Sequence, residues 1–346
     1  MLHVFDLTKS EEWDSVVRKF EKYDVYYLSG YTKAFCQNGD GEPLLFYYED
    51  GDLSGINVVM RRDISNDERF QGKIEKGQYF DLITPYGYGG WLISGSGDIA
   101  PLMNAYQKWC LKNHIISEFV RFHPMLSNKS RLESFYEVID LGNTIAMDLS
   151  SPEIIWANIT SKNRNMIRKA QKNGLKVYRE QSTEIYKIFK EIYDKTMDKD
   201  HADEYYYFSE KFYDSILYDL KNNAQVFYAK AENGDIAAAA IIIGANGMLN
   251  YHLSGSEYEY QKLAPTNLML YEVALWGFEN NYKSFHMGGG VGSKEDSLYS
   301  FKKSFYRGEP KQFSIGKKIF NEEIYRLLKE MRDDIQNPSF FPEYRG

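Results

Sequence analysis

Cysteine is scarce in this chain, positive charge is in deficit, and long apolar runs are missing. Each shortage excludes something. The only two cysteines, Cys36 and Cys110, show no metal-binding or redox spacing. Free thiols in a reducing compartment fit this usage better than a disulfide framework. The formal net charge of −7 speaks against a broad nucleic-acid surface, which is normally basic, and no DNA partner is expected. No stretch approaches the ~18 apolar residues of a membrane-spanning helix. The start, MLHVFDLTKSEEWDSVV, has no basic segment followed by an apolar run and does not read as a secretory signal. A soluble, cytoplasmic protein is the expectation. His201 lies among carboxylates with no second histidine at ligand spacing, so no metal is predicted. Nucleophile elbow, P-loop and dinucleotide fingerprint are all absent, which disfavours covalent catalysis and a tightly bound cofactor.

What is present is ample apolar and aromatic material. Hydrophobic residues make up 43% and aromatics 16%, with 29 tyrosines. At 346 residues two domains are expected, since single cores rarely grow much past ~250 residues. The chain also says something similar twice. Pro43 to Arg61 and Ala224 to Gly244 each read as strand, acidic-glycine turn and second strand, and Glu49-Asp50-Gly51 lines up with Glu232-Asn233-Gly234. Asp-Gly and Asn-Gly before an apolar run are strong hairpin signals. Downstream, Pro101 opens a helical pattern through Trp109 and Cys110, followed by the strand Glu118 to Phe122 and His123. Pro265 likewise opens a helical pattern through Trp276, followed by the strand Ser284 to His286. Proline is tolerated at a helix start, where the missing N–H loses no bond. The order predicts two copies of one α/β unit, the first carrying an insertion around Arg62 to Asp98.

The boundary is expected near Ala146 to Pro152, where a strand signal runs into Ser150-Ser151-Pro152-Glu153, a helix start. The predicted domains are 1–147 and 148–317, with a C-terminal helix at about 318–336 packing back on the first. Its amphipathic part runs from Glu322 to Asp334, and two prolines argue against helix in the tail from Asn337 to Gly346.

Four segments carry candidate chemistry. Gly288-Gly289-Gly290 follows a strand and precedes a polar loop and the cluster Phe301-Lys302-Lys303. Three glycines let a backbone adopt positive φ and approach another group closely, as in a loop that delivers a lysine to a cleft. Lys162, Arg164, Arg168, Lys169 and Lys172 lie on one helical segment ending at Gly174. Arg164, Arg168 and Lys172 are spaced four apart on one face, an anion patch or a solvated basic face. Tyr86 and Tyr88 sit in the glycine-rich stretch Thr84 to Gly90, a binding loop or a packing plug. On the strand Leu249 to Ser256, Tyr251 and His252 are expected to point oppositely, with Tyr251 facing the cleft.

Taken together these motifs resemble the FemAB-type aminoacyltransferases. The resemblance rests on Asn163 to Gly174, Thr84 to Gly90, His252 to Ser256, Ala264 to Asn267, Phe285 to Gly290 and Ser297 to Lys302, in the family's order. It implies an α/β (α+β) fold of two tandem GNAT-like acyltransferase domains, each a mixed, mostly antiparallel sheet flanked by helices. It further implies transfer of an aminoacyl group from charged tRNA to an amine of a peptidoglycan precursor. The family's catalytic lysine matches Lys302, preceded by Phe301; a positioned cation there stabilises the oxyanion of acyl transfer. Lys33 is a looser match to a lysine that holds precursor phosphate, and Tyr206 belongs to the tyrosine-rich region near a second phosphate clamp. That clamp is an arginine in the family, and here the nearest cation is Lys199, which binds phosphate without an arginine's fork. The helical arm of some members is missing. So is the glycine-rich pyrophosphate signature of acetyl-CoA enzymes before Pro265. Donor alternatives are therefore aminoacyl-tRNA and acyl-CoA, the latter acting on an amino sugar or small amine. A non-catalytic binding protein with a degenerate cleft is the remaining alternative. His286 reads as structural, because His123 matches it in the copy without glycines.

Overall fold

The computed structural model describes residues 1–332, 335–337 and 339–346. They form two compact units, Met1–Leu141 with Phe313–Gly346, and Gly142–Gln312. In chain order the elements are β1 Leu2–Phe5, α1 Ser10–Val17, α2 Ser29–Gln37, β2 Glu42–Asp50, β3 Leu53–Asp63, β4 Phe80–Ile83, β5 Leu92–Ser94, α3 Ala100–Lys112, β6 Ile115–Arg121 and β7 Glu137–Asp148. Then follow α4 Pro152–Asn158, α5 Ser161–Lys172, β8 Lys176–Glu180, α6 Thr183–Lys199, α7 Glu210–Asp219, β9 Ala224–Lys230, β10 Ile236–Ala245 and β11 Met248–Ser256. The last are α8 Pro265–Glu279, β12 Ser284–Gly288, α9 Ser297–Lys303, β13 Lys311–Ile319 and α10 Glu322–Glu330.

The duplication is present in the topology. The first unit's sheet runs β1-β2-β3-β4-β6-β13, and the second unit's runs β7-β12-β11-β10-β9-β8. Both are antiparallel except for one parallel pair, β4 with β6 and β11 with β12. In each unit that pair is joined through a helix, α3 or α8, as a parallel crossover requires. The hairpins β2–β3 and β9–β10 turn at Gly51 and Gly234, both with positive φ. The two crossover helices also end alike. Each passes through an asparagine into a residue of left-handed conformation, His114 with φ 55° and Asn281 with φ 63°, which frees the chain to turn into the next strand.

The second unit's core packs α4, α5 and α8 against one sheet face through Ile155, Ile167, Leu268, Val273, Ile242 and Phe285. The first unit's main core gathers Phe46, Trp91, Leu102, Tyr106 and Phe122. A smaller cluster there joins Ile64, Phe70 and Ile116 to Tyr325, Leu328 and Tyr344 of the C-terminal segment.

The units divide at Leu141/Gly142 and Gln312/Phe313, where the sequence expectation was 147/148 and 317. Both cuts fall inside strands. β7 begins at Glu137, well before the local strand signal at Thr144, and changes unit along its length. β13 pairs with β6 from Ile315↔Arg121 to Ile319↔Ser117, a pairing far too distant in sequence for local patterning to reveal. Residues 318 and 319 are therefore strand rather than the start of the C-terminal helix. α10 ends at Glu330, and the expected continuation through Asp333 and Asp334 lies outside the described residues. No described helix is long and apolar enough to cross a membrane.

Candidate acyl-transfer site

The second unit's parallel pair does not stay paired. Its register covers Met248↔Ser284, Leu249↔Phe285 and Asn250↔His286, while β11 goes on to Ser256 and β12 to Gly288. On its other edge β11 has a bulge, with Ile241 opposite Leu253 and Ile242 opposite Tyr251, so His252 is the extra residue. A bulge bends its strand and re-aims side chains. The strict alternation expected at Tyr251 and His252 is broken at this point. The Tyr251 ring packs against the second unit's core, 6.5 Å from Phe285, and its hydroxyl donates to Ser254 Oγ at 2.6 Å. Burial pushes the Tyr251 phenol up to about 12 and the His252 imidazole down to about 3, so both are neutral near pH 7.

Lys302 closes this region at the C-terminal end of β12. It lies in the last turn of α9, is 9% exposed, and its Nζ donates to Gly289 O at 2.6 Å. Burial is the main influence and lowers its ammonium to about 8, against a smaller opposing pull from Asp296. Part of the population is thus neutral near physiological pH, and what remains charged is poorly solvated and available to a developing anion.

The three glycines do different jobs. Gly288 has φ +76°, so a side chain there would strain the backbone. A Cβ on Gly289 would meet Asn143 O of β7 at 2.8 Å. One on Gly290 would lie 2.1 Å from Lys294 O and 2.3 Å from Asp296 Oδ1. The last two glycines are small because the loop packs on itself and on β7. Phe301 likewise makes packing contacts, meeting the core and the Phe305 ring at 5.4 Å.

The basic segment becomes α5, capped by Thr160 Oγ1 on Asn163 N. Arg164 and Arg168 lie over the Trp156 ring at 5.9 and 5.1 Å, and Arg164 Nη1 also donates to Trp156 O. Lys172 is exposed near the opposite end. Sequence reasoning missed what lies between α5 and α8. Asn163 is 2% exposed; its Oδ1 accepts from Asn267 Nδ2 at 2.8 Å, and its Nδ2 has no partner. Asn267 sits in the first turn of α8. That helix has no side-chain cap, starts from Ala264 at φ 58°, and carries Pro265 in its first turn. Orphan N–H groups of a fifteen-residue helix and a buried unpartnered amide donor together suit an anion. Only the two asparagines, one after each helix start, marked this in the sequence.

Lys199 ends α6 with its Nζ 5.9 Å from the Tyr258 ring, an exposed tyrosine. Tyr206, half-buried, closes a short turn at Glu204–Tyr206, its ring edge-on to Tyr205 at 5.5 Å.

Lys33, Tyr86 and Tyr88 belong to the first unit. Lys33 is half-buried on α2. The Thr84–Gly90 loop extends the pairing of β4 with β6: Thr84 N donates to Phe119 O at 3.0 Å, Arg121 N to Thr84 Oγ1 at 3.0 Å, and Gly89 N to Arg121 O at 2.8 Å. Tyr31 and Tyr27 hydroxyls donate to Tyr86 O and Gly90 O, and Asn128 Nδ2 to Gly89 O. Tyr86 stacks on Phe35 at 5.5 Å, and Tyr88 packs on Tyr26, His123 and Phe313. The loop thus zips the strand gap that the second unit leaves unpaired. His123 is also structural here: Met125 N donates to its Nδ1, so Nε2 carries the proton and donates to buried Asp24 at 2.9 Å. Two surface cavities of about 440 and 370 Å³ lie in the first unit and contain none of the residues predicted from sequence. No metal-binding group of histidine, cysteine and carboxylates exists among the described residues.

Residues 161–303 match the model of the acetyltransferase (GNAT) domain. That span runs from α5 to α9, and so includes the parting of β11 and β12, the α8 start and Lys302. No curated protein matches the sequence. Among solved structures, FemX superposes with TM-score 0.69 at 15% identity, covering 94% of this chain and 99% of FemX. The L-PGS of Bacillus licheniformis gives 0.58 at 16% identity, covering 93% of this chain and 96% of its own. A tandem GNAT protein from the clavulanic acid biosynthesis pathway gives 0.50 at 8% identity, covering 93% and 99%. At these identities the likeness is one of fold.

Proposed function

We propose that this chain, whose residues 161–303 match the acetyltransferase (GNAT) domain and whose fold is similar to that of FemX, transfers an aminoacyl or acyl group to an amine on a cell-envelope precursor. The observation that carries this reading is Lys302, a nearly buried lysine lowered to about 8 and fixed on Gly289 O where β11 and β12 part. The neutral acceptor amine attacks the donor carbonyl, forming the new C–N bond and a tetrahedral oxyanion. Lys302 donates to that oxyanion. Collapse breaks the donor's C–O or C–S bond, and the leaving group takes up the proton the amine loses. Tyr251, held by Ser254, orients substrate. The α8 start with Asn163 Nδ2 receives a phosphate of the donor, flanked by Arg164 and Arg168 of α5, with Lys172 extending the basic face towards the far end of that helix. Tyr206, Lys199 and Phe301 of the second unit are assigned to the acceptor. FemX and L-PGS, by fold, support an aminoacyl group; a cytoplasmic reaction fits the cysteine usage.

The matched domain's description as an acetyltransferase supports a second reading, transfer from acyl-CoA to an amino sugar or small amine. Charged tRNAs and acyl-CoAs, each offered with envelope precursors and simple amines, separate the two. Turnover with charged tRNA and no calorimetric signal with CoA is the expected result. Tight CoA binding without response to charged tRNA overturns the first reading in favour of the second.

A further inference from the structure

Asp296 does more than begin a helix. It precedes α9 as its N-cap residue, and Oδ1 accepts from Tyr299 N at 2.8 Å. Serine or asparagine would serve as well for that alone. Its other oxygen, Oδ2, accepts from Val291 N at 3.0 Å, on the far side of the glycine loop. The carboxylate is packed so closely on Gly290 that a methyl group there would overlap it. The loop it spans is conformationally demanding, with Gly292 and Ser293 both in the left-handed region at φ 59° and 63°. At one end of this loop lies Gly289, whose carbonyl receives Lys302; at the other lies the helix that carries Lys302.

We infer that Asp296 is a positioning residue for Lys302: its two oxygens fasten the glycine loop to the start of α9, setting the lysine and its carbonyl acceptor in register. The inference rests on the assignment of Lys302 above, and the hydrogen-bond pattern is its independent support. Two backbone N–H groups hold the Asp296 carboxyl below its usual range, so it is an anion throughout the neutral region. Asp296 is the charge that opposes the effect of burial on Lys302. The other charged groups on this segment are Lys294, Glu295 and Lys303. Of these, Glu295 Oε1 accepts weakly from Asn143 of β7 at 3.4 Å, and Lys303 Nζ donates to Gly308 O. β7 offers Asn143 and Thr144, neither of them titratable, against the loop.

Asp296→Asn separates this role from simple capping. Asparagine keeps the cap on Tyr299 N, but its amide cannot both serve Tyr299 and accept from Val291 as a carboxylate does, and it carries no charge. Two measurements are made on the full chain. One is competitive labelling of Lys302 by an amine reagent across pH, read by mass spectrometry. The other is kcat and KM with the best donor. The expected result for Asp296→Asn is a cooperative melt near wild type, a Lys302 labelling midpoint lower by about one pH unit, and a kcat down about tenfold or more with KM little changed. Asp296→Glu, which keeps the charge, restores the midpoint more than the rate. An unchanged midpoint and unchanged kcat in Asp296→Asn overturn the inference. Failure of the functional reading looks different: Lys302→Ala then keeps full activity, while the labelling midpoint still shifts with Asp296.

Discussion

At the residue scale, burial sets the chemistry of two ionisable groups with different consequences. Glu118 is fully buried in the first unit, and desolvation raises its carboxyl to about 7 despite hydrogen bonds from Tyr136 and Asn57. Its folded-state pKa lies above the unfolded value of 4.5, so the fold favours the protonated form. This group's contribution is therefore fully present below about pH 4.5, declines as pH rises, and levels off above about 7, a span of at most about 3 kcal/mol. Glu118→Gln should flatten that decline, and urea melts at pH 5 and 8 would show it; a wild-type decline kept intact in the variant would assign it to other groups. Lys302 is lowered, so its cation is lost as pH rises through about 8. The alkaline limb of kcat should fall near that value rather than near 10.5, its ordinary value. Lysine at 302 was legible in the sequence because a motif precedes it. Its desolvation was not, because that depends on how α9 closes over Gly289.

At the scale of elements, locally encoded features were readable and distant ones were not. Both hairpins could be placed from their Asp-Gly and Asn-Gly turns, and both crossover helices from proline at the start. The bulge at His252 carries no marker in Tyr251-His252-Leu253-Ser254, since it is imposed by the register with β10. The glycine loop offers a direct test of the packing described above. Gly292→Ala meets open space and should cost only the strain of its positive φ, about 1 kcal/mol. Gly290→Ala collides with Lys294 O and Asp296 and should displace the loop, lowering kcat by about 10²-fold with the fold retained. Equal kinetics of the two variants would contradict the assignment. The C-terminal segment is a second such element. Buried Arg345 pairs with Asp81 and Asp67, and Asp81 is 0% exposed. Arg345→Ala leaves Asp81 with Arg62 as its ion-pair partner and should lower the first unit's stability by about 3 kcal/mol in a urea melt. Two prolines in the tail argued against helix, and among its described residues Glu343–Arg345 forms a single 3-10 turn, but nothing local announced an arginine that returns to β4.

At the scale of the whole molecule, one α/β unit occurs twice and only one copy keeps its strand gap unpaired. In the first, Thr84 to Gly90 completes the pairing of β4 with β6; in the second, β11 and β12 part after Asn250↔His286. The duplication was legible because turn types and landmarks repeat in order. The exchange of β7 and β13 between units was not, because each pairs far from its sequence neighbours. The central claim is that the second copy performs acyl transfer through Lys302. Single-turnover transfer from the best donor, compared between wild type and Lys302→Ala with equal melting curves, tests it most directly. The account predicts a rate lower by about 10²-fold in the variant. A Lys302→Ala protein that transfers at the wild-type rate would contradict it.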